Sequence, residues 1–282
     1  MITDLSFFDN HMHLREDGKY IEEIKEFRKH GGKYLNYCPY TDVKEIIAEK
    51  SYLKCYERGL KIAQFAMEKV DVKIFLSVGP YPVDYIKMRE ILGKERAMEL
   101  MKKGMEEAGK LCKEGKAIAI GEIGRPHFKV SDEVLIESNE IMKYGIEIAK
   151  DIDVPVILHM EGANQSNMKE ISEIAKKIGI KKDKVIKHFS PPIIKEEENF
   201  GVFPSVIASE KNIEEAINKG HRFMLETDYL DDLRRPGAVL SLKTIPLKIK
   251  KLLREGKMSY EDAMIINKEN PEKIYNIELQ VK

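Results

Sequence analysis

The sequence predicts a single-domain α/β barrel of eight parallel strands, and three observations point to it. Eight short runs rich in Val, Ile, Leu and Phe recur along the 282 residues, separated by stretches with the apolar spacing of helices. Barrels of this (β/α)8 kind use about 250 residues as one domain. Several runs also end on histidines or carboxylates, at the strand ends where such barrels carry their active sites. No linker or repeat divides residues 1–282, so we expect one domain.

The predicted strands alternate with amphipathic helical regions, in which apolar residues recur at spacings of three and four. The strands are predicted at Leu5–His13, Lys33–Pro39, Val72–Val78, Ala117–Gly121, Val154–His159, Val185–His188, Gly201–Ile207 and Arg222–Thr227. The helical regions are predicted at Tyr20–Lys29, Val43–Lys69, Val83–Glu114, Asp132–Lys150, Met168–Lys177 and Asn212–Lys219.

Helix-boundary residues support this division of the chain. Ser131 is a predicted N-cap, and the long third helical region is expected to break near Gly93. Two extra C-terminal helices are predicted after the eighth strand, one ending near Gly256 and one running from Ser259 to about Ile274. They would close the bottom or the side of the barrel.

Composition and charge exclude several classes of protein. The 48 Lys and Arg balance the 48 Asp and Glu, so no global positive field gathers nucleic acid. The three cysteines have neither the spacing of a disulfide framework nor that of a sulfur metal site. We find no signal-peptide pattern and no apolar run of about 18 residues. We therefore expect a cytoplasmic protein that needs no membrane and no obligate protein partner.

Residues of the types that bind metal ions stand at the ends of five predicted strands. They are His11, His13, Glu122, His159, His188 and Asp228. In DNHMH the two histidines are two residues apart and share one face of a strand. In AIAIGEIG, Glu122 lies between glycines that let the backbone approach closely, and its two oxygens can bridge two cations. Each residue alone also suits a core histidine or a solvated carboxylate, whereas five strand ends at one barrel rim favour a metal site.

These motifs resemble those of the TatD-type metal-dependent hydrolases of the amidohydrolase superfamily, over nearly the whole chain. DNHMHL resembles the family's opening HxH, GEIG its bridging glutamate on strand four, and LHM and HFS its histidines on strands five and six. ETD resembles its aspartate on strand eight, and NPEKIYNI its closing helix. The resemblance implies a (β/α)8 barrel, a pair of divalent cations held by all six donors, and nuclease activity on phosphodiesters.

The loops around the predicted site depart from the family pattern. Arg125 and Pro126 follow GEIG, where the family usually has Leu-Asp. After strand three the chain has Gly79-Pro80-Tyr81-Pro82, where Gly-x-His-Pro is common. These differences leave the metal donors intact but bear on the substrate, because function depends on the site rather than the fold.

Our mechanistic hypothesis gives catalytic roles to Glu122 and Asp228. His11, His13, Glu122 and Asp228 would surround one cation, and Glu122 with the histidines of strands five and six a second. The cations would activate a water molecule whose proton passes toward Asp228. Two divalent ions are expected, and four histidines suit Zn, Mn, Fe or Co, whereas Mg prefers more oxygen ligands.

Loop residues around the barrel mouth are the candidates for substrate contact. They are Arg15, Tyr81, Arg125, His127 and Tyr229. The guanidinium of Arg125 could clamp a phosphate in two-point fashion. Arg234 and Arg235, after strand eight, offer further positive charge to a phosphate or form a solvated pair.

The sequence therefore predicts a hydrolase that uses a metal-activated water on phosphodiesters, as in a TatD-like deoxyribonuclease. Its substrate would be a small molecule or a nucleic-acid end, because neutral net charge suits short or single-stranded ends better than long duplex. The alternative is an amidohydrolase acting on C–N or C–O bonds, such as a deaminase, amidase or lactonase, since the same chemistry attacks carbonyl and ring carbons. A metal-stabilised scaffold without turnover is the third interpretation.

Overall fold

The computed structural model describes residues 5–234 and 239–280, which form the predicted barrel. The strands make one sheet in the order β8-β7-β6-β5-β4-β3-β2-β1-β9, and all neighbours are parallel. They are β1 (Phe7–His13), β2 (Gly32–Tyr37), β3 (Lys73–Val78), β4 (Ala119–Gly124), β5 (Val156–His159), β6 (Val185–Ser190), β7 (Phe203–Ile207), β8 (Met224–Glu226) and β9 (Tyr229–Leu230).

Helices follow the strands in sequence, as the barrel prediction requires. They are α1 (Tyr20–Lys29), α2 (Val43–Glu49), α3 (Leu53–Lys69), α4 (Pro82–Leu92), α5 (Lys94–Lys113), α6 (Asp132–Asp151), α7 (Gln165–Ile178), α8 (Glu196–Asn199), α9 (Glu210–Lys219), α10 (Thr244–Arg254), α11 (Tyr260–Met264) and α12 (Asn270–Tyr275). In the described part of the chain, none of them is long and apolar enough to cross a membrane.

Most helix boundaries lie where the sequence predicted them. Ser131 caps α6 by accepting a hydrogen bond from the Val134 amide, and the break at Gly93 separates α4 from α5. The region predicted as one helix over 43–69 is two helices, and this part of the prediction was wrong. Lys50 ends α2 in the left-handed conformation, with a φ of 52°, and the chain turns before α3 begins.

The cylinder closes through a break in its eighth strand. β8 pairs with β7, and β9, only two residues further on, pairs with β1. The carboxylate of Asp9 accepts hydrogen bonds from the backbone amide of Thr227, at 3.0 Å, and from its hydroxyl, at 2.5 Å. The amide of Asp228 donates to the carbonyl of His11 at 3.0 Å. These bonds join the first and last strands where the predicted metal donors lie.

The interior of the barrel is layered. Its lower layer is apolar and includes Phe8, Ile157, Ile186 and Met224, with Ile274 and Tyr275 of the C-terminal helix α12 packed against it. The Tyr275 hydroxyl donates to the side-chain oxygen of Asn10 at 2.7 Å. A polar layer follows, in which Asn10 donates to the Ser205 hydroxyl at 2.9 Å. The C-terminal helix therefore closes the bottom of the barrel and leaves the opposite end open.

Candidate metal centre and active site

The six predicted donors meet at the carboxyl ends of the strands. The Nε2 atoms of His11 and His13 are 3.2 Å apart, and Nε2 of His13 lies 3.6 Å from Oδ1 of Asp228. On the other side, Oε1 of Glu122 is 2.5 Å from Nδ1 of His159 and 2.8 Å from Nε2 of His188. Glu122 and the His11 ring connect the two sides, with 3.9 Å between Oε1 and Nε2.

Hydrogen bonds behind two of the histidines fix which nitrogen faces the centre. Nδ1 of His13 lies 2.8 Å from the carbonyl of Cys38, and Nδ1 of His188 lies 3.3 Å from a carboxylate oxygen of Glu226. Since both partners only accept hydrogen bonds, Nδ1 carries the hydrogen. In the neutral rings the lone pair of Nε2 then points into the centre, which is the form that binds a metal ion.

The buried charges of the centre call for a positive partner. Burial works against the ionised form of Glu122, but the charges of His159 and His188 hold its pKa well below the usual value. Burial likewise opposes the imidazolium of His188, and the Glu122 carboxylate outweighs it, raising the pKa of His188 to about 10. A proton on His188 thus balances the buried carboxylate of Glu122, and divalent cations would supply the same positive charge.

The donor set fits divalent cations. Ligand atoms of His11, His13 and Asp228 lie within 4.8 Å of one another, and so do those of His11, Glu122 and His188. Imidazole nitrogens and carboxylate oxygens suit Zn²⁺ and similar ions. The second set contains His11 where the sequence hypothesis placed His159, whose Nδ1 nevertheless lies 3.1 Å from Nε2 of His188.

Glycines place Glu122 in this centre. A Cβ on Gly121 would lie 2.6 Å from the Cβ of Ile157, and a Cβ on Gly124 would lie 2.1 Å from the carbonyl oxygen of His159. Gly124 also has a φ of +137°, which disfavours any other residue. The glycines of GEIG were predicted to let the backbone approach the site closely, and here they let β4 pack closely against β5 beside Glu122.

A cavity of about 710 Å³ opens above the donors, with Glu122, His159, His188 and Asp228 in its wall. Three of the predicted substrate contacts, Arg15, Tyr81 and His127, also line it. Nδ1 of His127 is 2.8 Å from Nε2 of His159, and the ring of Tyr81 packs edge-on against His159, 5.0 Å between centroids.

The other predicted contacts have different surroundings. Arg125 is buried, and its guanidinium pairs with Glu161 and Glu170, at 2.5 and 2.9 Å. The Tyr229 hydroxyl donates to Asp231 at 3.2 Å, and neither Arg125 nor Tyr229 is among the residues lining the cavity. Contact of these two with substrate stays a prediction.

The rim arginines after strand eight were the last charged candidates. Arg234 lines the cavity and pairs with Asp232 at 2.9 Å. Arg235 lies outside the described residues.

Three residues that sequence reasoning passed over belong to the site. Glu226, fully buried, accepts hydrogen bonds from the Phe189 amide at 2.6 Å and from the Ser205 hydroxyl, besides its contact with His188. Asp9 ties β1 to Thr227. Lys187 lines the cavity, and burial lowers its pKa to about 8, which keeps the amine largely charged at neutral pH. The sequence did contain a signal for two of these residues. Glu226 in ETD and Asp9 in DNH each stand two residues before a predicted metal donor.

Comparison with known proteins places this geometry in a family. Residues 8–276 match the family model described as TatD related DNase. The chain belongs to the TatD-related DNase family. Along all of its length it is 35% identical to an uncharacterised protein of Methanocaldococcus jannaschii, of which the match covers 99%. The family points to a hydrolase, and the mouth of this barrel contains buried His, Glu and Asp groups that could hold metal ions.

Solved structures share the fold at low sequence identity. The TatD homologue YjjV of Escherichia coli is 18% identical with a TM-score of 0.64, and the match covers 98% of this chain and 100% of that one. A hydrolase of the TatD family from Entamoeba histolytica is 14% identical with a TM-score of 0.64, covering 97% and 99%. The phosphotriesterase homology protein of Escherichia coli, solved with phosphate in its active site, is 12% identical with a TM-score of 0.63, covering 96% and 99%.

Proposed function

We propose that this protein is a hydrolase of phosphodiesters that depends on a pair of divalent metal ions, acting on small molecules or on the ends of nucleic acids. The observation that carries the proposal is the convergence of six imidazole and carboxylate donors beneath a cavity, in a chain of the TatD-related DNase family. Zn, Mn, Fe, Co and Mg are the candidate ions, and elemental analysis of protein purified without chelator identifies them.

The chain's own residues divide the work of such a reaction. The bound ions would supply a water that is nucleophilic at neutral pH and would polarise the oxygen of the scissile group. Asp228 lies in the cavity wall with Oδ1 3.9 Å from Nε2 of His11, and there it accepts the proton of the attacking water. Glu122 is buried between the two histidine pairs, and its contacts with both pairs would keep the two sets of ligands at a fixed distance from each other.

The charges at the cavity mouth support short substrates over long duplex. Arg15 pairs with Asp17 at 3.0 Å, and Arg234 pairs with Asp232. A protein that tracks a duplex backbone needs several cations free for phosphates. Since these rim arginines already have carboxylate partners, the substrate is held inside the cavity rather than along the surface.

The test is a substrate panel with metal-reconstituted protein. Bis-p-nitrophenyl phosphate, single-stranded and blunt duplex oligonucleotides, lactones and amides are offered in parallel. Hydrolysis of the diester and of single-stranded ends supports the proposal, whereas turnover of only lactones or amides replaces it by the C–O or C–N alternative. Absence of turnover on the whole panel leaves the scaffold interpretation.

The variant Asp228→Asn tests the base. It keeps an oxygen ligand, so much of the metal should stay bound while kcat falls by about 100-fold or more, the range of general-base catalysis. Asp151→Asn, in a surface ion pair with Lys150 at the end of α6, is the matched control and should retain near-normal turnover. Normal kcat in Asp228→Asn contradicts the base assignment.

The apolar part of the cavity wall is the observation that keeps carbon–oxygen hydrolysis as the second candidate. Tyr40, Tyr81, Met160, Phe189 and Leu230 line the same cavity. A neutral ring such as a lactone would pack against these side chains without needing a cation. The same panel separates the two candidates.

A further inference from the structure

Lys187 places a buried ammonium group in the wall of the active-site cavity. Its residue is 1% exposed, and it stands in β6 directly before His188. A lysine is almost never buried to this extent unless a carboxylate pairs with it, because removing its charge from water is costly. The partners of its ammonium group therefore indicate which group compensates the buried charge.

The ammonium of Lys187 has N–H donors that no described residue of the protein accepts from. Nζ donates one hydrogen bond, to the carbonyl of its neighbour His188 at 2.5 Å. Among the residues that the structure describes, no carboxylate forms an ion pair with it within 4.0 Å, whereas Arg125 nearby pairs with two glutamates. An ammonium has three N–H donors. Two of them have no protein partner described, in a side chain that lines the cavity.

The carboxylates that attract Lys187 from further away all have other partners. Glu226, Glu122, Glu161 and Asp228 act on it electrostatically. Glu226 orients His188, Glu161 pairs with Arg125, and Glu122 and Asp228 belong to the donor sets that fit divalent ions. Once those ions are bound, their charge offsets that of Glu122 and Asp228, and the charge of Lys187 is left without a direct carboxylate partner among the described residues. A negatively charged group entering the cavity would then balance it.

We infer that Lys187 is the substrate-anion ligand of this site: it donates to a non-bridging oxygen of a phosphodiester and selects anionic substrates over neutral esters. This inference rests on the proposed function, whose substrate class it narrows to anions. The apolar wall of the cavity then contacts the groups attached to the phosphorus, and Lys187 contacts the charged oxygen. Neutral triesters and lactones offer no charge to this lysine.

The experiment compares Lys187→Met with the wild-type holoenzyme on two substrates. Methionine has an unbranched side chain of similar length but no charge, so the buried position stays filled. For the anionic bis-p-nitrophenyl phosphate we expect kcat/KM to fall between about tenfold and about 100-fold, the effect of losing a charged hydrogen bond. For a neutral p-nitrophenyl phosphotriester we expect less than about threefold change. If the variant folds poorly, Lys187→Gln replaces it.

A purely structural role for Lys187 predicts a different pattern. If the lysine only holds the His188 carbonyl, its loss should reduce metal content and affect both substrates equally, and that result overturns the inference. An unchanged kcat/KM on the diester overturns it as well. Lys102→Met is the control, because Lys102 lies on α5, pairs with Glu140 and is not among the residues that line the cavity. It should change neither substrate by more than about twofold.

Binding of inorganic phosphate separates this inference from the proposed function. Titration calorimetry on metal-loaded protein should show at least about tenfold weaker phosphate binding in Lys187→Met than in wild type. If the wild type hydrolyses no phosphodiester, the proposed function fails, and this binding comparison still decides for or against Lys187. Equal phosphate affinity in the two proteins refutes the lysine's role even if phosphodiesterase activity is present.

Discussion

Glu226 carries a prediction that can be worked through from the structure. Its carboxylate accepts hydrogen bonds from Nδ1 of His188 at 3.3 Å and from the amide of Phe189 at 2.6 Å, in full burial. Glu226→Gln keeps the shape but replaces a charged acceptor by a neutral one. A charged hydrogen bond is worth about 1 to 2 kcal/mol more than a neutral one. Groups that orient metal ligands typically contribute 10- to 100-fold in affinity or activity.

We therefore expect the variant to bind its divalent ions at least about tenfold more weakly, since 1.4 kcal/mol is a factor of ten. Competition with a chromophoric chelator measures this affinity, and kcat at saturating metal measures catalysis. Affinity should fall more than kcat, because Glu226 acts through His188 and does not line the cavity.

The matched control is Glu210→Gln. Glu210 pairs with Lys248 and Lys251 near the surface, where ion pairs contribute about 0 to 1 kcal/mol. It should leave metal affinity unchanged. A folded Glu226→Gln protein with wild-type metal affinity would refute the assignment of Glu226 as the residue that fixes His188.

Three further outcomes are expected. Gly124→Ala should cost roughly 3 kcal/mol in denaturant unfolding, because its Cβ would overlap the His159 carbonyl at positive φ. Gly162→Ala, with nothing within 4 Å, is its control, and equal stability of the two contradicts the packing argument. Burial raises the pKa of Asp84 to about 7. Between about pH 4 and pH 7 the unfolded chain loses this proton first, so this residue's contribution to stability falls as pH rises, by up to about 4 kcal/mol. Asp84→Asn should therefore stabilise the protein relative to wild type more at pH 8 than at pH 4.5, and a constant difference in urea midpoints argues against it. Chelation of the divalent ions should lower Tm, by the equivalent of about 4 kcal/mol at an ion concentration a thousand times Kd. Calorimetric traces that coincide with and without chelator count against a metal centre.

The order of strands and helices could be predicted because it depends on local pattern. Apolar runs and amphipathic stretches identified the eight units, and the break at Gly93 was visible because glycine disfavours a helix interior. The turn at Lys50 was not predicted, since nothing in a lysine signals the left-handed conformation. The family resemblance rested on the same strand-end motifs and is confirmed.

The directions of the side chains at the barrel mouth were harder to predict from the sequence. Pairing of β1 with β2 shifts register between Asp9 and Met12, so the consecutive residues Asn10 and His11 both face the barrel interior. Simple alternation does not give this arrangement. Arg125 was predicted to contact substrate, and the sequence did not show that Glu161 and Glu170 reach its guanidinium from the β5–α7 region. Partners 36 and 45 residues away are supplied by the fold alone.

By itself the sequence determined the chemistry that was available: which donors exist, that they end strands, and that the strands form a barrel. This is so because strand ends and residue types are local properties. Only the tertiary structure decided which donors share a centre, that Glu226 orients His188, and that Lys187 faces the cavity with no carboxylate of the described residues paired to it. Those relations depend on distances between residues far apart in the chain, which folding sets through register, closure and packing.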